Sequence, residues 1–306
     1  VLAQELAAPH VADAGPAEPF RTLLSQGMVH GKTFSDPETG KFLMPDEVDE
    51  RSVGSFEKMS KSKHNGVDPT ACTQRYGADA TRAHVLFAAP VSEVLDWDES
   101  KIVGIERWYG RVWKVVHSAA RQGGEDTLPP VSELSDDEAE MALVTHNTIM
   151  SVTQCLETNP YALNTVISDL TKLTNTLAGQ SGRILRVCVS SLVRMLAPIA
   201  PALASECWAV LYPDSDVFTT WPEALLRNDE AQTLAARGGQ TVAVQVNGKL
   251  RFTVCIPRGT GTEESWVVDG VLATVEGREW LRTRYDWEKR RRVLVVGGGR
   301  VMNVVF

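Results

Sequence analysis

The apolar residues of this 306-residue chain change their period beyond the long helical block, and that change most limits what the chain can fold into. From Ile105 to Leu211 they recur at steps of three and four, which places them on one face of successive helices. From Val242 to Ile256 they alternate at every second position, as strands with one buried face require. The chain therefore reads as a helical block followed by a small sheet-containing domain. The polar stretch 223–240, ending in Gly238-Gly239, is the predicted linker.

Within the helical block, Ile105, Trp108, Val112, Val115 and Val116 form a first stripe, and a loop from Gly123 to Pro130 ends it. Ser135-Asp136-Asp137-Glu138 has the form of a capping box, so its acidic run starts a helix rather than holding a metal. Ala142, Thr145, Ile149, Val152 and Leu156 line the face of that helix. Asn159-Pro160 opens the next, with Val166, Ile167, Leu170, Leu173 and Leu177 inward. Ile184, Leu185, Cys188, Leu192, Met195 and Leu196 mark another. Pro198 and Pro201 break it, and Leu203, Cys207, Trp208 and Leu211 carry a last one. Four or five such helices with short links predict an antiparallel bundle.

In the final domain Val242, Val244 and Val246 face Leu250, Phe252, Val254 and Ile256 across Asn247-Gly248, a hairpin signal. A helix is predicted from Glu263 to about Thr283, burying Val267, Val271, Leu272 and Val275. Strands at Val293–Val296 and Val301–Phe306 complete a ββαββ unit. Gly297-Gly298-Gly299 between them reads as a hairpin turn, because no helix follows it to complete a phosphate cradle.

Ahead of the helical block, Phe20, Leu23, Leu24 and Met28 suggest a short helix, and residues 31–57 read as loop or hairpin. Asp68-Pro69 starts a helix that Tyr76-Gly77 ends. Asp79 is placed to cap the next, which carries Val85, Leu86 and Phe87 and stops at Pro90. Between these elements lies Lys58-Met59-Ser60-Lys61-Ser62. Ammonium groups at 58, 61 and 63 on one short loop suit a polyphosphate that must be gripped as its charge shifts. A solvated basic loop is the alternative reading.

The stretch EKMSKSKHNGVDP resembles the second signature of class I aminoacyl-tRNA synthetases. The likeness runs on through Tyr76-Gly77-Ala78-Asp79-Ala80-Thr81-Arg82, Leu86-Phe87-Ala88-Ala89-Pro90 and Leu95-Asp96-Trp97. Upstream it includes Glu18-Pro19-Phe20 and Leu23 to Val29. Together these are similar to the leucyl-tRNA synthetase family. KHNGVDP and the insert from Gly31-Lys32-Thr33-Phe34 to Val48-Asp49 are most like its mitochondrial form.

The resemblance implies an α/β remnant of a class I synthetase catalytic domain in residues 1–100, carrying the KMSKS loop. A helical bundle similar to an anticodon-binding fold would follow in 101–228, and a small α+β tRNA-binding domain in 240–306. The implied activity is leucine–tRNA ligase: ATP-dependent attachment of leucine to tRNA(Leu) through a leucyl-adenylate, with Mg2+ arriving with ATP. Lys61 and Lys58 would be the catalytic lysines, and Lys58, Met59, Ser60, Lys61 and Ser62 the ATP-binding set. His64 carries no expected base role. The family's first signature, His-x-Gly-His, does not occur in this sequence. Nor do the early strands, the leucine pocket and the editing insertion, so the chain is expected to be the C-terminal third and inactive alone. A non-catalytic tRNA-binding or interaction module derived from a synthetase is the competing expectation.

The chain carries a net charge of −8, so any RNA footprint must be local. Arg278 to Arg292 supplies one. Seven basic residues against three acidic ones give a net of +4, with Trp280, Tyr285 and Trp287 interleaved. Arg282, Arg284, Lys289, Arg290, Arg291 and Arg292 are the expected tRNA contacts, since the resembled C-terminal domain touches the tRNA elbow. The alternative makes Trp280 core and the arginines solvated surface. Five scattered cysteines and six scattered histidines suggest no metal knuckle, and an odd count of thiols fits a reducing compartment. No apolar run approaches the roughly 18 residues of a membrane span. The mitochondrial matrix is the expected compartment, with the cytoplasm as the alternative. Residues 1–19 lack arginine and include Glu5, Asp13 and Glu18, unlike a transit peptide, so the start reads as truncated or anomalous.

Overall fold

The computed structural model describes residues 25–159, 161–257 and 265–306. Phe20, Leu23, Leu24, Pro160 and the start of the predicted helix at Glu263 lie outside the described residues. The described chain divides into two compact units. One takes in the described residues up to Gly110 with Val152–Thr171 and Pro198–Leu203. The other takes in Arg111–Ser151, Lys172–Ala197 and Ala204–Phe306. The fold is mixed α and β, with two small sheets.

In the first unit, β1 (Val29–Ser35) and β2 (Val53–Lys58) form an antiparallel hairpin that pairs His30 with Lys58. After the lysine loop come α1 (Pro69–Tyr76) and α2 (Ala78–Ala88), and then β3 (Leu95–Asp96), which returns parallel to β1. The sheet order is β2-β1-β3. Asp68 caps α1 as its sequence predicts, accepting from the Thr70 amide at 3.0 Å, with Pro69 in the first turn. Asp79 does something else than expected. Gly77, not Asp79, is the N-cap residue of α2, and the Asp79 carboxylate accepts from the Leu203 amide at 2.8 Å. Arg82, one turn further on, donates to the carbonyls of Pro198 and Ile199. One face of α2 thus satisfies the backbone groups that the prolines leave free around the start of a later helix.

The helical residues follow their periodicity. α3 (Ile102–Gln122) buries Ile105, Trp108, Val112, Val115 and Val116. α4 (Asp136–Thr158) opens on a reciprocal capping box, Ser135 N to Glu138 Oε2 at 3.1 Å and Glu138 N to Ser135 Oγ at 3.3 Å. α5 (Leu163–Leu177) begins three residues after Pro160 and buries Val166, Ile167, Leu170, Leu173 and Leu177. α6 (Leu185–Leu196) is buried almost all round. Its two serines are accommodated because Ser190 and Ser191 both donate to the Val187 carbonyl. α7 (Pro201–Leu211) follows. The stretch read as a linker contains a helix, α8 (Asn228–Arg237), whose Leu234 is buried and whose Glu230 carboxylate accepts from the Arg227 amide.

In the C-terminal part, β4 (Gly239–Val246) and β5 (Lys249–Pro257) form the predicted hairpin, and Asn247 (φ 51°) and Gly248 (φ 76°) make its left-handed turn. α9 (Ser265–Ala273) then packs on the sheet, and β6 (Arg292–Val296) and β7 (Val301–Val305) pair antiparallel around the triple glycine. All three of those glycines have positive φ, which suits a turn. The order β5-β4-β7-β6 puts β4 and β7 side by side and parallel. Val242, Val244, Val246, Val267, Val271 and Met302 form the core.

The long helix predicted to Thr283 is interrupted. Thr274 leaves helical geometry and caps a new turn through Gly277, and Arg278–Arg284 continues as a wide π-type turn. Val275, expected inward, is therefore 68% exposed.

Candidate functional site

The lysine loop grows directly out of the β1–β2 hairpin. Lys58 is the last residue of β2, the Met59 amide bonds the Val29 carbonyl at 3.1 Å, and Lys61–Lys63 form a single 3-10 turn. His64 closes that turn in the left-handed region (φ 53°) and is exposed.

The organising residue is Asn65, which sequence reasoning passed over. It is 5% exposed. Its Nδ2 donates to Thr33 Oγ1 at 2.7 Å and also reaches the carbonyls of Glu57 at 3.1 Å and Lys58 at 3.3 Å. Its Oδ1 accepts from the Ser60 amide at 2.8 Å. One side chain thereby ties both ends of the loop to β1. Gly31 makes this possible, since a Cβ there would sit 2.0 Å from the Asn65 carbonyl oxygen. The Asn65-Gly66 pair beyond the last lysine was the available signal, but its partner Thr33 is 32 residues away.

The three ammonium groups separate into two kinds. Lys63 is taken by Glu57, in a close ion pair, and lies over the Phe42 ring at 5.4 Å. Lys63, and then the Ser55 hydroxyl, hold the Glu57 carboxyl below its ordinary range. Lys58 and Lys61 are exposed and have no carboxylate partner among the described residues. Met59 and Ser60 are half-buried, and the Ser60 and Ser62 hydroxyls lie 3.0 Å apart. The loop thus presents two unneutralised cations, three residues apart, on a backbone held from below.

The basic segment of the C-terminal part is also partly spoken for. Arg284 pairs with Glu279 at 2.7 Å and stacks on Trp280, and Lys289 pairs with Asp286 at 3.0 Å. Arg290 lies over Trp287 with 4.2 Å between guanidinium and ring centre. Arg278, Arg282, Arg291 and Arg292 are exposed with no acidic partner among the described residues. Trp280 is half-buried, not core, and stands in a row of rings, Phe252, Trp280, Tyr285 and Phe306, with neighbouring centroids 5.2–6.4 Å apart. Among the described residues no group of three or more His, Cys, Asp or Glu side chains could hold a metal, and no helix is long and apolar enough to cross a membrane.

Comparison with known proteins now adds to this geometry. Residues 139–265 match the anticodon-binding domain of tRNA ligases. The leucine–tRNA ligase of Synechococcus sp. (strain WH7803) is 37% identical over 94% of this chain and 34% of its own length. The mitochondrial leucine–tRNA ligase of Saccharomyces cerevisiae is 34% identical over 89% of this chain and 33% of its own. Among solved structures, the Agrobacterium radiobacter K84 agnB2 LeuRS, in its ternary complex with tRNA and LeuAMS, superposes with a TM-score of 0.58 at 27% identity. That match covers 96% of this chain and 34% of that one. The chain is thus similar to leucyl-tRNA synthetases along nearly all of its length, and spans about a third of theirs.

Proposed function

We propose that this chain is a working part of a leucine–tRNA ligase, the part that grips the leaving pyrophosphate with its lysine loop and the tRNA with its C-terminal domain. The observation that carries the reading is the division of labour among the lysines. Glu57 neutralises Lys63, while Lys58 and Lys61 keep their charge free on a tethered loop.

In leucine activation the amino acid carboxylate attacks the α-phosphorus of ATP and the bond to the β-phosphate oxygen breaks. Charge grows on the bridging oxygen and the β-phosphate. An ammonium already positioned there stabilises the transition state more than bound ATP, and only that difference raises the rate. Lys61 takes this role and Lys58 supports it. Met59, Ser60 and Ser62 shape the loop against the nucleotide. Mg2+ arrives as part of the ATP substrate. The free guanidinium groups of Arg282, Arg291 and Arg292, joined by Arg284, Lys289 and Arg290, follow the phosphate backbone of tRNA(Leu), and the exposed faces of the ring row offer stacking surface. The matrix of mitochondria or the cytoplasm would both supply these substrates.

The test is a ligase in which this sequence replaces the matching third of the Synechococcus enzyme. Leucine-dependent ATP–pyrophosphate exchange should fall roughly 10²–10³-fold in Lys61→Ala, the range for removing one preorganised donor to developing charge. Exchange at the parent rate in that variant would remove Lys61 from the chemistry. The 306-residue chain by itself should form no leucyl-tRNA.

A further inference from the structure

The second unit contains a cleft that the ligase reading does not use. A ladder of alternating cations and rings runs between α6 and α7: Arg194 over Trp208 at 4.7 Å, Trp208 beside Tyr212 at 4.6 Å, and Arg186 over Tyr212 at 4.6 Å. Its two ends differ. Arg186 is closed off by Asp126 at 3.0 Å and by the Leu211 carbonyl at 3.0 Å, and the Tyr212 hydroxyl donates to the same Asp126 at 2.6 Å. The Nε of both arginines is buried without a hydrogen bond, but Arg194, unlike Arg186, has neither an acidic partner nor any side-chain hydrogen bond among the described residues. A partly desolvated guanidinium without an anion is costly, and proteins rarely leave one so unless an anion comes from outside.

Arg194 borders a cleft of about 610 Å3 whose floor includes Ser190 and Ser191 and whose wall includes Trp208 and Trp221. The size is that of a small-molecule site. The guanidinium fork matches a phosphate edge on, and Trp208 already holds its plane. Trp208 is buried under Arg194 and Tyr212, so it is the half-buried Trp221 whose indole gives a planar ring a surface to lie on. Both serine protons go to the Val187 carbonyl, so towards a ligand N–H or O–H these hydroxyls can serve only as acceptors. Glu223 at the rim adds another acceptor.

We propose that this cleft binds a free nucleoside monophosphate, with its phosphate on Arg194 and its base against Trp221. A polynucleotide fits less well. Arg194 is the only cation among the lining residues, which also include the acids Asp126 and Glu223, and a nucleic-acid backbone calls for a row of cations. The inference stands apart from the lysine loop and the C-terminal arginines and does not depend on them.

The experiment uses the full chain and three probes followed by saturation-transfer NMR and tryptophan fluorescence: AMP, inorganic phosphate and a single-stranded hexauridylate. AMP should saturate in the sub-millimolar range, roughly an order of magnitude tighter than inorganic phosphate, because only AMP gains the ring contact. Arg194→Gln should weaken AMP about ten-fold or more by removing the charge-assisted pair. Thr220→Trp, which fills the mouth from an exposed position, should do the same without touching the core. Circular dichroism checks the fold of both, and Thr220→Trp decides the matter if Arg194→Gln unfolds. Failure of AMP to saturate, or equal AMP binding in wild type and Thr220→Trp, overturns the proposal. Hexauridylate binding tighter than AMP and lost in Thr220→Trp overturns it too, in favour of an RNA site.

Discussion

Removing the Asn65 side chain should loosen the lysine loop while leaving the rest of the first unit folded. Its two N–H groups serve three acceptors, the Thr33 hydroxyl and the Glu57 and Lys58 carbonyls, and its oxygen accepts from Ser60. Asn65→Ala therefore deletes the equivalent of three hydrogen bonds, worth about 1 kcal/mol each, or roughly 3 kcal/mol together. Water can reach Ser60 and Lys58 at the surface but not Thr33, which is 2% exposed, so most of the cost at that end is not recovered. At about 1.4 kcal/mol per factor of ten, local opening at the loop should become about 10²-fold more frequent. Amide hydrogen exchange reads this directly. The Ser60 amide should exchange about 10²-fold faster in the variant, while amides in the middle of α2 change little. Gly31→Ala, which forces a Cβ into the Asn65 carbonyl, should speed Ser60 exchange in the same direction. Ser60 exchange within three-fold of wild type in Asn65→Ala, about 0.7 kcal/mol by the same conversion, would mean that the clamp does not hold the loop.

Two further predictions follow from buried titratable groups. Burial lowers the His146 pKa, and its neutral Nδ1 accepts from the Leu226 amide at 3.2 Å; burial and then Lys101 lower that of His84. Each folded pKa lies below the unfolded value of about 6.5, so the folded chain binds fewer protons and stability should be lost as pH falls below that value. Urea midpoints should be level above neutrality and drop towards pH 5, and the drop should shrink in His146→Gln; a drop of the same size in that variant would rule His146 out as its source. Burial also pushes the Cys188 thiol up to about 11 and that of Cys207 up to about 12, whereas Cys255 is exposed. An alkylating reagent at neutral pH should label Cys255 first and the other two only on unfolding, and early labelling of Cys207 by peptide mapping would contradict this.

The parts of this fold governed by periodicity were legible in the sequence. Stripes such as Val112, Val115 and Val116 are buried, and the Ser135–Glu138 box and the Asn247-Gly248 turn form as their chemistry requires. The errors fall where local pattern competes with distant contacts. Asp79 sits where an N-cap belongs, yet serves Leu203, 124 residues on. α8 was hidden because it is polar along most of its length and buries mainly Leu234. The helix after Ser265 breaks at Thr274, whose hydroxyl competes with the helical bonds by capping Gly277. In the site the lysines were visible, but their division was not. Nothing local separates Lys63 from Lys61 until the hairpin brings Glu57 alongside, and nothing marks Asn65 until Thr33 is folded under it.

The proposal that this chain handles tRNA as part of a leucine ligase is tested most directly by tRNA(Leu) binding to the 306-residue chain as salt is raised. Phosphate contacts release counterions, so affinity should fall steeply with salt in the wild type. Changing Arg290, Arg291 and Arg292 together to Ala should weaken binding and flatten the logarithmic salt slope by about 2–3, close to one for each lost phosphate contact. Equal affinities and equal slopes for the two proteins would contradict the claim, leaving those arginines as solvated surface.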